Sequence, residues 1–367
     1  MSVELPDSYQ AIYQRAIQQM GVGESQEAID SLLRIVKRLS RLRPETLQRK
    51  PNLQQTLYAA WDAVTRFLSW EDRHQEAIDL TAEVTDRLPE PITGAIRMAS
   101  LTIDSGQVED GLAALTRIAD EQDGFDARFA LGSEFEVLGR YTEAIDAYRS
   151  ALRQATSNDE AVIANLGLLD VYRATEQIED ALDTWKMILV LEPDMAEQEH
   201  QVYSWLIREG HQEEAAPYLQ RESVPLRRTF FEGLVDWQAG RTDAARRKWS
   251  EVLDLEEELD EDVDVEAWME AALRLGVPQR ADELAQGLFL SGELLSIRAT
   301  VLRGIAKLML DQRALAETHL EQALLRFRRN SRSRAGLAAD QWVLLTQLVP
   351  DPAQTAGLAR FFDTGTD

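Results

Sequence analysis

The chain has 367 residues, 44% of them hydrophobic, with 39 Lys and Arg against 64 Asp and Glu for a net charge of −25. Such a length can bury a large core, but no run of 18 apolar residues is present to span a membrane. No cysteine is available for a disulfide, a thiolate metal site or a thiol nucleophile.

The N-terminus, MSVELPDSYQ, has acidic residues where a secretory signal needs a basic and then an apolar region, so a cytoplasmic location is expected. Charge is unevenly placed: residues 51–296 hold 21 basic and 51 acidic groups, whereas residues 1–50 hold 8 and 6 and residues 297–336 hold 9 and 3. An acidic middle repels phosphate backbones, which disfavours nucleic acid along most of the chain and favours a basic partner.

The elements repeat at about 34 residues, and each repeat is numbered so that Gly132 falls at position 8, Gly139 at 15, Ala144 at 20 and Tyr148 at 24. The first repeat starts near Tyr9, with Gly23 at position 15, Ala28 at 20 and Leu32 at 24. Residues 40–57, basic and broken by Pro44 and Pro51, read as an inserted loop or extra helical turn. The second starts near Tyr58, with Trp61 at 4, Ala77 at 20 and Pro89 at 32; the third starts near Ile92, with Gly106 at 15 and Gly111 at 20. The fourth, from Phe125, has the most complete pattern, ending on Ala151 at 27.

A fifth starts near Val162, with Tyr172, Ala181, Trp185 and Pro193, and a sixth near Ala196, with Gly210, Ala215 and Leu219. The seventh, from Leu226, carries Gly233, Gly240, Ala245 and Trp249. The eighth, from Asp262, keeps Gly276 and Ala281, and the ninth, from Ile297, has Gly304, Ala316, Leu320 and Ala323. An amphipathic segment then runs over 333–349 to Pro350 and Pro352.

This pattern resembles the tetratricopeptide repeat (TPR), W-x2-L-G-x2-Y, then A-x3-F, then P. Leu131-Gly132, Phe135, Ala144 and Tyr148 carry the likeness, while Arg128 stands in the Trp slot and Thr156 in the Pro slot. Small residues at 8, 20 and 27 let two antiparallel helices approach, and the aromatic residues fill the space between pairs. The resemblance implies an all-α, right-handed superhelical solenoid of about nine helix pairs over 9–330. A capping helix is expected over 331–350, because a solenoid must cover its last apolar face, and a flexible tail over 351–367.

Sites of chemistry are not found. Asp260, Asp262 and Asp264 alternate as in a calcium loop, but Val265 and Ala271 occupy the positions that need Gly and a bidentate Glu. Glu197 and His200 form one Glu-x-x-His pair where di-iron bundles use two. Phosphate-binding, dinucleotide-binding, zincin and nucleophile-elbow motifs are absent. A non-catalytic protein with no cofactor or metal is therefore expected, an interaction scaffold or adaptor that binds a protein or peptide. Alternatives are a regulatory receptor for a small peptide or metabolite and, more remotely, nucleic-acid contact through basic ends at Arg34–Arg43 and Arg326–Arg334.

In the resembled family the first helix of each pair lines a groove through positions 2, 5, 9, 12 and 13. Trp61, Trp185, Trp205, Trp249 and Trp268 fall on packing positions, whereas Trp70 and Trp237 fall on the groove. Arg227, Phe230, Leu234 and Trp237 then form an apolar groove patch with a positive edge, extended by Phe129, Arg173, Ile207 and Arg208. An aromatic anchor flanked by Arg suits a peptide with an acidic group; the competing reading is that curvature buries these side chains. The family's carboxylate clamp is excluded at its best-matching place, where its slots hold Phe129, Ser133, Gly167, Glu197 and Gln201. The alternative to a cap over this last segment is a self-association surface built from Trp342, Leu344 and Leu345.

Overall fold

The computed structural model describes residues 7–21, 25–122, 124–291, 293–331 and 337–362. Gly23, Arg332 and Arg334 lie outside the described residues, as do the start of the expected cap and the end of the expected tail. Among the described residues every regular element is helical, apart from one isolated bridge between Leu337 and Phe362. No helix among them is long and apolar enough to cross a membrane.

The chain divides into two compact units, 1–193 and 194–367, where one repeat domain over 9–330 was expected. The first unit opens with α1 (Asp7–Gly21) and α2 (Ser25–Leu39). The inserted segment is a short helix, α3 (Pro44–Gln48), after which α4 (Pro51–Trp70) pairs with α5 (His74–Val84). The second repeat thus begins at Pro51 rather than near Tyr58, because Pro at a first helical position starts a helix as readily as it interrupts one. Next come α6 (Pro91–Asp104) with α7 (Val108–Gln122), α8 (Phe125–Val137) with α9 (Tyr141–Gln154), and α10 (Asn158–Ala174) with α11 (Ile178–Leu191).

The second unit pairs α12 (Glu199–Arg208) with α13 (Gln212–Leu219), α14 (Pro225–Gln238) with α15 (Thr242–Leu253), and α16 (Asp262–Arg274) with α17 (Pro278–Ser291). It ends with α18 (Ile297–Met309) against α19 (Arg313–Ser331), then α20 (Ala339–Leu348) and the single turn α21 (Pro352–Thr355). Within each unit the two helices of a pair pack together, and successive first helices touch from α6 to α8 to α10 and from α12 through α14, α16 and α18 to α20.

Position 15 explains why every pair turns alike. From the second repeat to the ninth, the residue there has a left-handed backbone: Asp72, Gly106, Gly139, Glu176, Gly210, Gly240, Gly276 and Asp311, with φ between 55° and 93°. The next residue's N–H returns to a carbonyl in the preceding turn, as Arg140 does to Phe135 at 2.8 Å, which closes the first helix and aims the second back along it. The approach at position 8 is tight. A Cβ on Gly132 would lie 2.5 Å from the Tyr148 ring, one on Gly233 2.6 Å from Trp249, and one on Gly304 3.3 Å from Leu320.

Where Thr156 replaces the family's Pro, capping does the same work. Ser157 Oγ accepts from the Glu160 N–H at 3.2 Å, and the Glu160 carboxylate accepts from the Thr156 N–H and hydroxyl. The C-terminal segment corrects the expected tail. Arg313 donates to the carbonyls of Ala353, Gln354 and Ala356, and Leu358, Phe361 and Phe362 are buried, so residues 352–362 pack as part of the second unit. Leu344 and Leu345 are buried as well, so of the two readings of this segment the cap is the one they fit, and the Trp342 ring lies 5.5 Å from Phe362.

Candidate functional site: two inner helix faces

The inner face of the second unit is built around one carboxylate. Glu270, on α16, has no solvent exposure, and three guanidinium groups converge on it: Arg208 from α12 at 3.0 Å, Arg274 one turn on at 2.9 Å, and Arg298 from α18 at 3.0 Å. Arg298 also reaches Asp340 of α20 at 2.8 Å. Burial by itself would raise the carboxyl's pKa, but the three Arg charges outweigh it and hold Glu270 well below the usual carboxylate range. Burial also depresses Arg208, with the neighbouring Arg298 charge acting the same way. Beside this cluster, Ser296 donates to Glu266 at 2.5 Å, and burial pushes the Glu266 carboxyl up.

A second pair closes the face one helix earlier. Arg227 on α14 donates to both oxygens of Asp264 at 2.6 and 3.0 Å and lies 3.0 Å from Glu261. Five helices therefore contribute charges that neutralise one another internally. Buried charges are tolerated only when paired in this way, and the pairing occupies Arg208, Arg227, Arg274 and Arg298.

These contacts correct the expected groove patch. Ile207, Arg227, Phe230 and Leu234 are buried, and Arg208 is committed to Glu270. Phe230 packs edge-on against Phe231 at 5.0 Å, and its carbonyl accepts from Trp249 at 3.4 Å. Trp237 alone of that patch stays accessible, at 37%, with its ring 5.7 Å from Trp249. The structure does bring these residues together, but as interior. The packing assignments of Trp61, Trp185, Trp205, Trp249 and Trp268 hold, since all five are buried.

The first unit has a different inner face. On α4, Asp62 pairs with Arg66 at 2.6 Å and with Arg97 of α6, and Ser69 donates to Asp104 of α6 at 2.8 Å. Trp70 is half-buried, 5.2 Å from Phe67. On α8, Phe129 stacks on Phe125 at 5.5 Å and tilts onto Tyr148 at 5.4 Å. The Tyr148 ring lies against both Gly132 and Gly167, which have no side chain to displace it, and its hydroxyl donates to Glu136 at 2.6 Å.

On α10, Ile163 is 45% exposed, and Asp170 is exposed with Arg173 3.7 Å away. Neighbouring chain thins the hydration of this concave surface, so burial pushes both the Glu136 and Asp170 carboxyls up, and the charge of Asp170 adds to the effect on Glu136. Phe129 and Arg173 thus lie on one face with carboxylates that the sequence reading passed over. The missed residues were in reach of the same rule: Glu136 and Asp170 sit at positions 12 and 9, Glu266, Glu270 and Arg274 at 5, 9 and 13, and Arg298 at 2. Among the described residues no group of His, Asp and Glu is arranged to hold a metal ion.

Nine helix pairs among the described residues, the second to the ninth joined by the same left-handed turn, define a helical-repeat protein. With Gly at position 8 packed on the residue at 24 and Ala at position 20, it is a TPR-like one. No family model matches the chain, and no curated protein matches it. Among solved structures it is similar to a tetratricopeptide repeat protein from Parabacteroides merdae, at 17% identity over 70% of this chain and 98% of that one, with a TM-score of 0.41. It is also similar to the human IFIT1 dimer with PPP-AAAA, at 13% identity over 84% and 80% with a TM-score of 0.39, and to yeast Tom70, at 10% over 96% and 99% with a TM-score of 0.34.

Proposed function

We propose that the chain is a non-catalytic interaction scaffold, and that the inner face formed by α4, α6, α8 and α10 holds a peptide or protein segment carrying basic and apolar side chains. The observation that carries this reading is the contrast between the two inner faces. In the second unit the charges are spent on one another around Glu270, whereas in the first an accessible carboxylate at Asp170 and an exposed Ile163 lie beside Glu136 and Phe129. A cation entering there would replace hydration that the concave surface has already weakened, and the half-buried ring of Phe129 offers an apolar contact beside it.

The earlier expectation of an acidic ligand falls with the positive edge that motivated it, because Arg208 and Arg227 are already paired. The test is selection from a random peptide display library. Enrichment of Lys or Arg next to an aliphatic residue is expected, with affinity lost in Asp170→Asn/Ile163→Asp. Selected peptides that bind this variant and the wild type equally would refute the assignment to this face.

A further inference from the structure

Away from its inner face, the second unit has its most exposed large apolar side chains at one place. Phe289 and Leu290, in the last turn of α17, and Leu294 just beyond it are 66%, 74% and 67% exposed. Phe289 falls on the far side of α17, but Leu290, three residues after Gly287, flanks a cavity of about 320 Å³ between α16, α17 and the turn at 256–258. One face of α17 lines it, through Leu284, Gly287, Leu288 and Ser291, at the spacing of successive helical turns.

Trp268 of α16 forms the opposite wall. Its ring is buried, and its indole N–H has no hydrogen-bond partner, a donor left without an acceptor where a partner is normally found. Arg280 lies over that ring at 4.9 Å and is held by the Leu253 carbonyl at 3.2 Å and by Glu256 at 3.0 Å. Gly287 leaves the cavity open, since a Cβ there would meet nothing within 4 Å.

The surroundings carry one sign of charge. From Glu251 to Ser296 the chain has fourteen acidic residues and two basic ones. Asp264 and Glu270 are spent on the inner face and Asp282 on Arg303 and Lys307, while Asp254, Glu257, Glu283 and Glu293 are exposed. Arg274 is paired with Glu270 and Arg280 with Glu256, so the segment stays net acidic through Asp254, Glu257, Glu283 and Glu293.

We propose that this outer face docks a basic amphipathic helix of a partner protein. One large apolar side chain enters the cavity, whose volume sits at the low end of the roughly 300–1,000 Å³ typical of ligand sites. Leu290 and Leu294 cover the rest of the apolar stripe, and Lys or Arg on the flanks meets the acidic rim. The Trp268 N–H takes a side-chain oxygen or a free carbonyl from the helix's last turn. The site is independent of the inner face of the first unit.

The test uses the full chain and a fluorescein-labelled 18-residue helical peptide of Leu and Lys with one Trp in the apolar stripe, beside a twin with Glu in place of Lys. Fluorescence anisotropy is expected to show binding of the Lys peptide and none of the Glu peptide. Two variants, Gly287→Trp, which fills the cavity, and Leu290→Ser/Leu294→Ser, which changes exposed side chains, should each weaken binding about tenfold. Val343→Ser, an exposed apolar change elsewhere in the second unit, should not alter it. Equal affinity for wild type and both variants would overturn the proposal, as would a wild-type dimer in sedimentation that Gly287→Trp dissociates, which would give the face to a second copy.

Discussion

Glu270→Gln removes the carboxylate on which Arg208, Arg274 and Arg298 converge at 3.0, 2.9 and 3.0 Å. Glutamine keeps the shape and one acceptor, so no cavity opens and the loss is electrostatic. Removing one partner of a buried ion pair costs about 3–5 kcal/mol, because the other charge stays buried without compensation. Arg298 retains Asp340, but Arg274 has no other close acid and Arg208 reaches Asp340 only at 4.0 Å, which places the cost in the upper part of that range. For a unit of this size each kcal/mol shifts Tm by about 2–4 °C, giving a fall of about 10–20 °C.

Differential scanning calorimetry of the full chain, with Glu251→Gln as an exposed control, measures the shift. The pH dependence has a definite sign. The folded carboxyl titrates below its unfolded value of about 4.3, so its contribution is present above that pH and is lost as pH falls through the folded value. The gap between variant and wild type should therefore narrow below about pH 4. A Tm drop of less than about 2 °C at pH 7 would refute the account of a buried, paired Glu270.

Three further outcomes test the repeat and the first inner face. Gly132→Ala puts a Cβ 2.5 Å from Tyr148, and overpacking of about 1–3 kcal/mol should exceed the helix-propensity gain of about 1 kcal/mol. Urea unfolding should show that loss, and show it shrinking when Tyr148→Leu is added. Glu176→Gly relieves a left-handed glutamate at φ 55° and should stabilise by about 0.5–1 kcal/mol, the same Tm measurement deciding. Asp170→Asn should stabilise at pH 7, since a carboxyl whose folded pKa is raised disfavours the fold once ionised. That gain should fade as pH falls towards the unfolded value of about 3.9, and a gain unchanged at pH 3 would contradict it.

The nine pairs were legible in the sequence because their spacing depends on local chemistry. A small residue must sit wherever an aromatic ring of the second helix presses on the first, as Gly132 does under Tyr148 and Gly233 under Trp249. The left-handed position was legible wherever glycine occupies it and hidden at Asp72, Glu176 and Asp311, where the backbone accepts the same conformation from a residue that does not advertise it. The packed 352–362 segment was hidden for another reason. Its anchor is Arg313, forty residues upstream, and no local pattern links that guanidinium to the carbonyls of Ala353, Gln354 and Ala356.

The inner faces fall between these cases. Position along the helix gives the direction of a side chain, but not whether the next helix leaves room in front of it. Phe230 and Leu234 point as the register requires and are nevertheless covered, because Arg227 of α14 is drawn onto Asp264 of α16 and Arg208 of α12 reaches Glu270 beyond it. Such a closure needs charges of opposite sign at groove positions of successive first helices. Arg208 and Arg298 meet Glu270 across helices in this way, whereas in the fifth repeat Arg173 lies on the same helix as Asp170, 3.7 Å away, and Glu136 on α8 accepts from the Tyr148 hydroxyl. Burial pushes the Glu136 carboxyl up, and the Asp170 charge on the next first helix adds to that shift rather than relieving it. Opposite charges on neighbouring first helices thus mark the face closed around Glu270, and Glu136 and Asp170 are where the proposed basic ligand would supply the missing cross-helix partner.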